Sequence, residues 1–387
     1  MSLAPSLETQ NQSATADDSQ NAPINSTFKC KQCAASLSYR AGTESLQCQY
    51  CQFENAIPKG EADIQEFDFH EFLQNNQEEQ IQEERLVIKC DCCGAQSTSE
   101  PNVTSQNCPF CDTEIISSAS SVKLLKPESL LPFKVDKNTA MENYKSWVSG
   151  LWFAPNKLKR SAALSEKLSG MYLPHWTYDC DTLSYFSAER GDHYTETVQK
   201  TRKNEEGETE TYNEEVKKTR WRTVYGTSFD EFDDVMVVAS DSLPKQYCEE
   251  LEPWDLENLV PYQDDYLSGY KAESYKVNLE DGFEQAKKIM DKKINAAIKK
   301  QVGGDEQKIT SVKTQHDNIK FKHILLPVWM SAYRYQDTVY RFMINARTGE
   351  VQGERPTSWV KVGFAIATTI AVIAGAAFLF LGQNGAV

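Results

Sequence analysis

The feature that most limits what this chain can fold into is a cysteine pattern. Cys30-Lys-Gln-Cys33 and Cys48-Gln-Tyr-Cys51 are separated by 14 residues, and so are Cys90-Asp-Cys-Cys93 and Cys108-Pro-Phe-Cys111. Each outer cysteine of the first set recurs 60 positions later, Lys29 recurs as Lys89, and an apolar residue, Phe28 or Ile88, precedes each lysine. This is one module used twice. A C-x-x-C knuckle supplies two thiolates from one tight turn, and two knuckles can close tetrahedrally on one zinc ion. Modules this small bury too little apolar surface to fold unaided, so bound metal stabilises them outright. The expected ligands are Cys30, Cys33, Cys48 and Cys51 for one Zn(2+), and Cys90, Cys93, Cys108 and Cys111 for a second. An iron site of rubredoxin type and a dithiol redox pair are the competing readings of the same spacing. The repeat register leaves Cys92 as a spare thiol, and Cys180 and Cys248 read as small core residues.

Thiols held for metal point to a reducing compartment. The formal net charge of −15 is concentrated at the front: residues 1–125 hold 18 Asp/Glu against 7 Lys/Arg. Four thiolates on one zinc add about −2 per site. So acidic a region repels a phosphate backbone, which argues against a nucleic-acid partner.

Along the chain, residues 1–27 are rich in Ser, Gln, Asn and Ala and read as a disordered tail. The first ribbon spans 28–57 and the second 87–116. Between them, residues 58–86 form an acidic linker in which Ile64, Phe67 and Phe72 suggest one amphipathic helix. A Ser-rich linker, 117–129, leads into a mixed α/β domain over 130–356. There the pattern predicts a helix over 136–150, N-capped by Asp136, and a second over 280–302, closed by Gly303-Gly304. The second helix carries Phe283, Ala286, Met290 and Ile294 on one side and many lysines elsewhere, which suits packing on the domain's own sheet better than lying on anionic lipid. Residues 193–226 predict a long charged hairpin turning near Glu206-Gly207, and 324–351 predict two strands and a turn at 346–349. Leu173-Pro-His-Trp176 and Leu326-Pro-Val-Trp329 suggest a second internal duplication.

No catalytic motif stands out. His70, His175, His193, His316 and His323 form no H-E-x-x-H, and neither G-x-S-x-G nor a phosphate loop is present. The expectation is a protein that is not an enzyme.

Residues 362–382 are 21 positions without a charge. At 1.5 Å per residue they reach roughly 30 Å, the thickness of a bilayer core. Arg347, Arg355 and Lys361 precede this span and no charged side chain follows it, which places residues 1–361 on the cytoplasmic side of the inner membrane in a single-pass, tail-anchored arrangement. Gly363, Ala367, Ala371 and Gly375 share one helix face, where a second helix can approach.

The two cysteine modules, Leu130-Leu-Pro-Phe-Lys134, Trp152-Phe-Ala-Pro-Asn156, Gly170-Met-Tyr-Leu-Pro-His-Trp176, and the stretch from Leu325-Leu-Pro-Val-Trp329 through Gly349-Glu-Val-Gln-Gly353 resemble a bacterial family of double zinc-ribbon proteins with a C-terminal membrane helix. The resemblance runs over most of the chain from Phe28 onward. Members carry labels of transcription-factor type or are likened to the primosomal helicase, a comparison that rests on the ribbons alone because this chain has no helicase nucleotide loop. Where the ribbon pattern places glycine after each knuckle, only Gly94 conforms; Ala34, Gln52 and Asp112 stand at the other three positions, which predicts a less regular first ribbon. The expected fold class is α+β: two tandem four-cysteine zinc ribbons, a mixed α/β domain with an antiparallel sheet, and one C-terminal transmembrane helix. The expected function is a membrane-bound adaptor that presents a surface to a protein partner. Nucleic-acid binding linked to replication or transcription and thiol redox chemistry are the alternatives.

Overall fold

A computed structural model describes residues 28–58, 63–74, 82–98, 105–116, 120–155, 168–203, 208–335 and 338–384. The expected tail at 1–27 and the hairpin turn at Glu206-Gly207 lie outside these residues.

The strands are β1 Leu37–Tyr39, β2 Ser45–Cys48 and β3 Glu54–Ala56 in the first cysteine module, then β4 Phe67–Asp68. In and around the second module lie β5 Gln82–Lys89, β6 Gln96–Thr98, β7 Ser105–Asn107, β8 Glu114–Ile116 and β9 Ser120–Leu125. The large sheet adds β10 Ser129–Leu130, β11 Ser169–Lys203, β12 Thr209–Val238, β13 Val260–Pro261, β14 Lys271–Ala272, β15 Glu306–Tyr335, β16 Thr338–Asn345 and β17 Val351–Gly353. The helices are α1 Phe69–Gln74, α2 Lys137–Gly150, α3 Lys245–Glu249, α4 Leu279–Val302 and α5 Trp359–Asn384.

The fold is α+β, with one extensive sheet at its centre. The strands β12, β11, β15 and β16 run antiparallel in that order, while β10 joins β15 and β14 joins β11 in parallel. The sheet is therefore mixed at its margins rather than wholly antiparallel. The charged hairpin is longer than the sequence pattern predicts, because β11 and β12 begin and end inside the core. Beyond Gly191, where β15 starts, they continue alone from Asp192 to Lys203 as roughly 40 Å of two-stranded ribbon. Cross-strand pairs such as Lys200 with Glu214 at 2.7 Å, and Arg220 over the Tyr194 ring at 5.0 Å, line this ribbon. Charged edges of this kind oppose edge-to-edge association.

The Leu-Pro-x-Trp motifs meet at the sheet's centre. Leu173 pairs with Leu326, Tyr172 with Pro327 and Pro174 with Leu325, so a local two-fold through the leucine pair exchanges Trp176 with Trp329. The two indoles make reciprocal bonds: Trp176 Nε1 donates to the Val277 carbonyl at 2.9 Å and Trp329 Nε1 to the Val135 carbonyl at 2.8 Å. Each valine precedes a helix cap. Asp136 caps α2 by accepting from the N–H groups of Asn138 and Thr139, and Asn278 caps α4 by accepting from that of Asp281. The cap sequences, Phe-Lys-Val-Asp at 133–136 and Tyr-Lys-Val-Asn at 275–278, match each other. Each half thus sends its tryptophan to the other half's helix entry.

Successive residues of the central strands feed different cores. Tyr172, Leu325, Trp329, Phe342 and Ile344 pack with Tyr144 of α2 and with Leu37, Leu46 and Cys48 of the first module. Met171, Leu173, Ile324, Leu326 and Val328 pack with Ile88, Cys90, Phe110 and Ile115 of the second module. Because strand side chains alternate between faces, the two cysteine modules lie on opposite faces of one sheet. Helix α4 covers the far part of the first face with Phe283, Met290 and Ile294, its lysines outward.

The acidic linker departs from the expected amphipathic helix. Phe67 pairs with Phe321 as a short strand, and among the described residues of the linker the six of α1 are helical, capped by the Asp68 carboxylate on the Glu71 N–H. Phe69 and Phe72 drive this, buried against Phe283 and Phe321 at 5.0 Å each.

Candidate metal centres

The structure brings the eight outer cysteines together as two groups of four. Within each group all Sγ atoms lie within 4.8 Å of one another. Among the approaches between knuckles are Cys30 to Cys51 at 3.6 Å and Cys33 to Cys48 at 3.5 Å, then Cys90 to Cys111 at 3.6 Å and Cys93 to Cys108 at 3.7 Å. Sulfurs at tetrahedral corners about 2.3 Å from a metal stand about 3.8 Å apart, so the observed spacing fits a four-thiolate metal site. None of the 11 cysteines is in a disulfide.

Each knuckle is shaped by its backbone. The residue after the second cysteine donates its N–H to the carbonyl of the first: Ala34 to Cys30 at 2.8 Å, Gln52 to Cys48 at 3.0 Å, Gly94 to Cys90 at 2.7 Å and Asp112 to Cys108 at 2.9 Å. All four are left-handed, with φ of 59°, 59°, 73° and 55°. The first module is therefore as regular as the second, contrary to the expectation drawn from its missing glycines. Closure on the cluster holds Ala34, Gln52 and Asp112 in a conformation that L-residues ordinarily avoid.

Backbone N–H groups also aim at sulfur. Those of Cys51 and Tyr50 each lie 3.4 Å from Cys48 Sγ. Together they hold the Cys48 thiol down at about 6 against the effect of burial, Cys51 contributing most. Hydrogen bonds to the charged form favour thiolate, the form a metal binds. Burial pushes the Cys108 thiol well above its usual range. Cys92 is exposed and stands outside its cluster. Cys180 and Cys248 are buried, and burial raises their thiols to about 11 and about 12, as inert core residues require.

Both modules are tied to the rest of the fold by hydrogen bonds. In the first, Gly42 donates to Phe133 O at 2.7 Å, Tyr39 N–H to Ser268 O at 2.8 Å and Ser268 Oγ to Leu37 O at 2.8 Å. In the second, Arg341 Nε donates to Phe110 O at 2.8 Å and Lys276 Nζ to Gly94 O at 2.8 Å. Both knuckles of the first module have exposed residues, and the second leaves two aromatic rings outside, Tyr50 84 % and Phe53 42 % exposed.

Two other charged groups are paired within the fold. The cluster Asp179, Asp233 and Asp234 faces Lys322, whose ammonium lies 2.8 Å from Asp234 and 3.2 Å from Glu66. Arg347, read as a cationic flank of the apolar span, instead donates from Nε to Asp255 at 2.9 Å and from Nη1 to Pro132 O at 2.9 Å. The sequence gives no local sign of this pairing, since the partners are far apart in the chain.

Helix α5 is long and apolar enough to cross a membrane, and none of its window Trp359–Ala376 is buried in the protein. It is thus no core helix of the folded part. An added Cβ at Gly363 or Gly375 would meet nothing within 4 Å, so the small-residue face is uncovered.

No protein-family profile matches the chain, and no solved structure does. The chain is 30% identical over 265 residues to the uncharacterized protein YdjG of Bacillus subtilis (strain 168), an alignment covering 66% of this chain and 70% of that relative.

Proposed function

This chain belongs to the family of YdjG, and we propose that it is a non-catalytic, membrane-anchored adaptor whose two four-cysteine modules are zinc ribbons. The observation that carries the adaptor reading is the aromatic pair Tyr50 and Phe53, left in solvent on the first module while Leu37, Tyr39 and Leu46 of that module are buried. Exposed aromatics on a rigid frame suit the core of a protein interface. Four protein sulfurs at each site leave no open coordination position for substrate, which suits structural rather than catalytic zinc. The acidic front of the chain opposes nucleic acid.

Helix α5 crosses the inner membrane once. Arg355 stands before it and Lys361 in its first turn, and the thiolates need a reducing compartment, which together favour a cytoplasmic folded part. The face bearing Gly363, Ala367, Ala371 and Gly375 is suited to helix–helix association.

Two measurements test the reading. Metal analysis of protein purified without chelator should find two zinc ions per chain, falling to one with Cys90→Ser and unchanged with Cys92→Ser. Iron, or fewer than two ions in the unaltered chain, would overturn the zinc assignment. A photo-crosslinking amino acid at position 50 in living cells should yield a discrete protein adduct that the same probe at position 203 does not. Adducts to nucleic acid, or none at all, would remove the adaptor reading.

A further inference from the structure

Helix α2 ends in a turn at residues 151–154. Its outer residues, Leu151 and Ala154, are buried 8 % and 3 % exposed beside Trp147, and the Ala154 N–H donates to Leu151 O at 3.2 Å. The residues between them, Trp152 and Phe153, are 78 % and 46 % exposed. Turn centres ordinarily hold Pro, Gly, Asn, Asp or Ser, chosen for backbone shape and solubility. Here the shape is fixed by the two buried neighbours, and two large aromatic side chains are held outward on it.

The position of this turn says what it faces. Ser358 N–H donates to Phe153 O at 2.8 Å, and the Lys361 ammonium donates to Trp152 O at 3.2 Å and Ala154 O at 2.8 Å. The turn is thereby fastened to the entry of α5, beside Trp359, which is 80 % exposed. If residues 362–382 fill the hydrocarbon core, Trp359 and Lys361 lie in the interfacial layer, and the bonded turn lies at the same depth. Tryptophan favours that layer, where its ring meets apolar matter and its N–H meets water.

We propose that the turn at residues 151–154 is a membrane-docking element, which lays Trp152 and Phe153 into the interfacial layer of the bilayer that α5 crosses. The folded part is then held against the membrane at two points, the helix entry and this turn. The partner is the lipid interface itself, recognised by aromatic insertion and by no particular headgroup. The proposal rests on the reading that α5 spans the membrane, and the experiment separates the two.

The full chain carrying Trp359→Phe is reconstituted into phosphatidylcholine vesicles containing lipid brominated near the glycerol end of its acyl chains. Tryptophan emission is compared with that in unbrominated vesicles, and the comparison is repeated with Trp152→Phe added. Bromolipid should quench the first protein, and most of that quenching should vanish in the second. Equal quenching in both overturns the docking proposal. So does a Trp152 signal shielded from both bromolipid and aqueous acrylamide, which would mean that protein covers the turn. A carbonate wash is run in parallel. Protein released to the supernatant overturns the spanning reading, whereas protein retained with equal quenching overturns docking alone.

Discussion

The left-handed position after each knuckle allows a test whose sign differs between the two modules. An L-residue there is strained by roughly 1–2 kcal/mol, and glycine is not. Gly94 has φ 73°, and a Cβ added to it meets nothing within 4 Å, so Gly94→Ala introduces backbone strain and no clash. Alanine recovers about 0.4–1 kcal/mol through the less flexible unfolded chain. The net loss is about 1 kcal/mol. Ala34 occupies the same position at φ 59° and is exposed, so Ala34→Gly removes strain without removing packing and gains about as much. Because a module's folding and its metal binding are one equilibrium, 1 kcal/mol is read as about a fivefold change in metal affinity. Titration of metal-loaded full chain with a chromogenic chelator measures it. Gly94→Ala should release the second module's metal at about one-fifth of the competitor strength, and Ala34→Gly should make the first module's metal about fivefold harder to remove. A Gly94→Ala protein that holds metal as well as the parent, or an Ala34→Gly protein that holds it less well, would refute the assignment of strain to these positions.

Gly282→Ala should destabilise the protein by about 1 kcal/mol and by no more than about 2 kcal/mol, although alanine is the better helix former by about 1 kcal/mol, because the new Cβ would press on the Tyr178 hydroxyl and lie 2.9 Å from Trp176 Cδ1, an overpacking cost of about 1–3 kcal/mol. Denaturant unfolding should show Tyr178→Phe restoring part of that loss in the double variant, and plain additivity would contradict the contact. Burial pushes the Glu273 carboxyl up from 4.5 to about 7, with Ser240 Oγ donating to Oε1 at 2.8 Å and Oε2 unpartnered. A carboxyl raised on folding lends stability that is complete below the unfolded value and is lost as pH rises through the folded one. Unfolding free energy should thus fall by about 3 kcal/mol between pH 4.5 and 8 on this account, and Glu273→Gln should flatten the fall; an unchanged slope would assign it elsewhere.

The cysteine modules were legible because metal ligation imposes spacing that nothing else in the chain needs, and the caps of α2 and α4 because Asp136 and Asn278 act within one turn. The extent of the central strands was not. Pro174 and Pro327 sit in mid-sheet, where a missing N–H argues against a strand, yet they flank the Leu173·Leu326 pair that relates the two halves. The resemblance between residues 133–136 and 275–278 is four positions long and gains weight only once Trp176 and Trp329 are seen bonding to Val277 and Val135. The acidic linker misled for another reason: Ile64, Phe67 and Phe72 fit a helical stripe, but Phe67 and Phe72 are placed by Phe321, which lies far along the chain.

The docking of the modules sets what a metal bound at the two clusters would do in this chain. A free ribbon that loses its ion unfolds alone. Here Cys90, Cys108 and Cys111 are packed in one core with Met171, Leu173, Leu326 and Val328, so collapse of the second module strips one face of the central sheet and leaves its strands exposing apolar side chains to water. The first module shares its core with Tyr144 and Phe342, whose rings stack at 3.7 Å. Tyr144 belongs to α2, and α2 runs directly into the turn that is hydrogen-bonded to the entry of α5. A packed path therefore joins the first cysteine cluster to the point where the apolar helix begins. Loss of a metal bound at either cluster would then be felt by the whole folded part, because each cluster shares a core with the sheet.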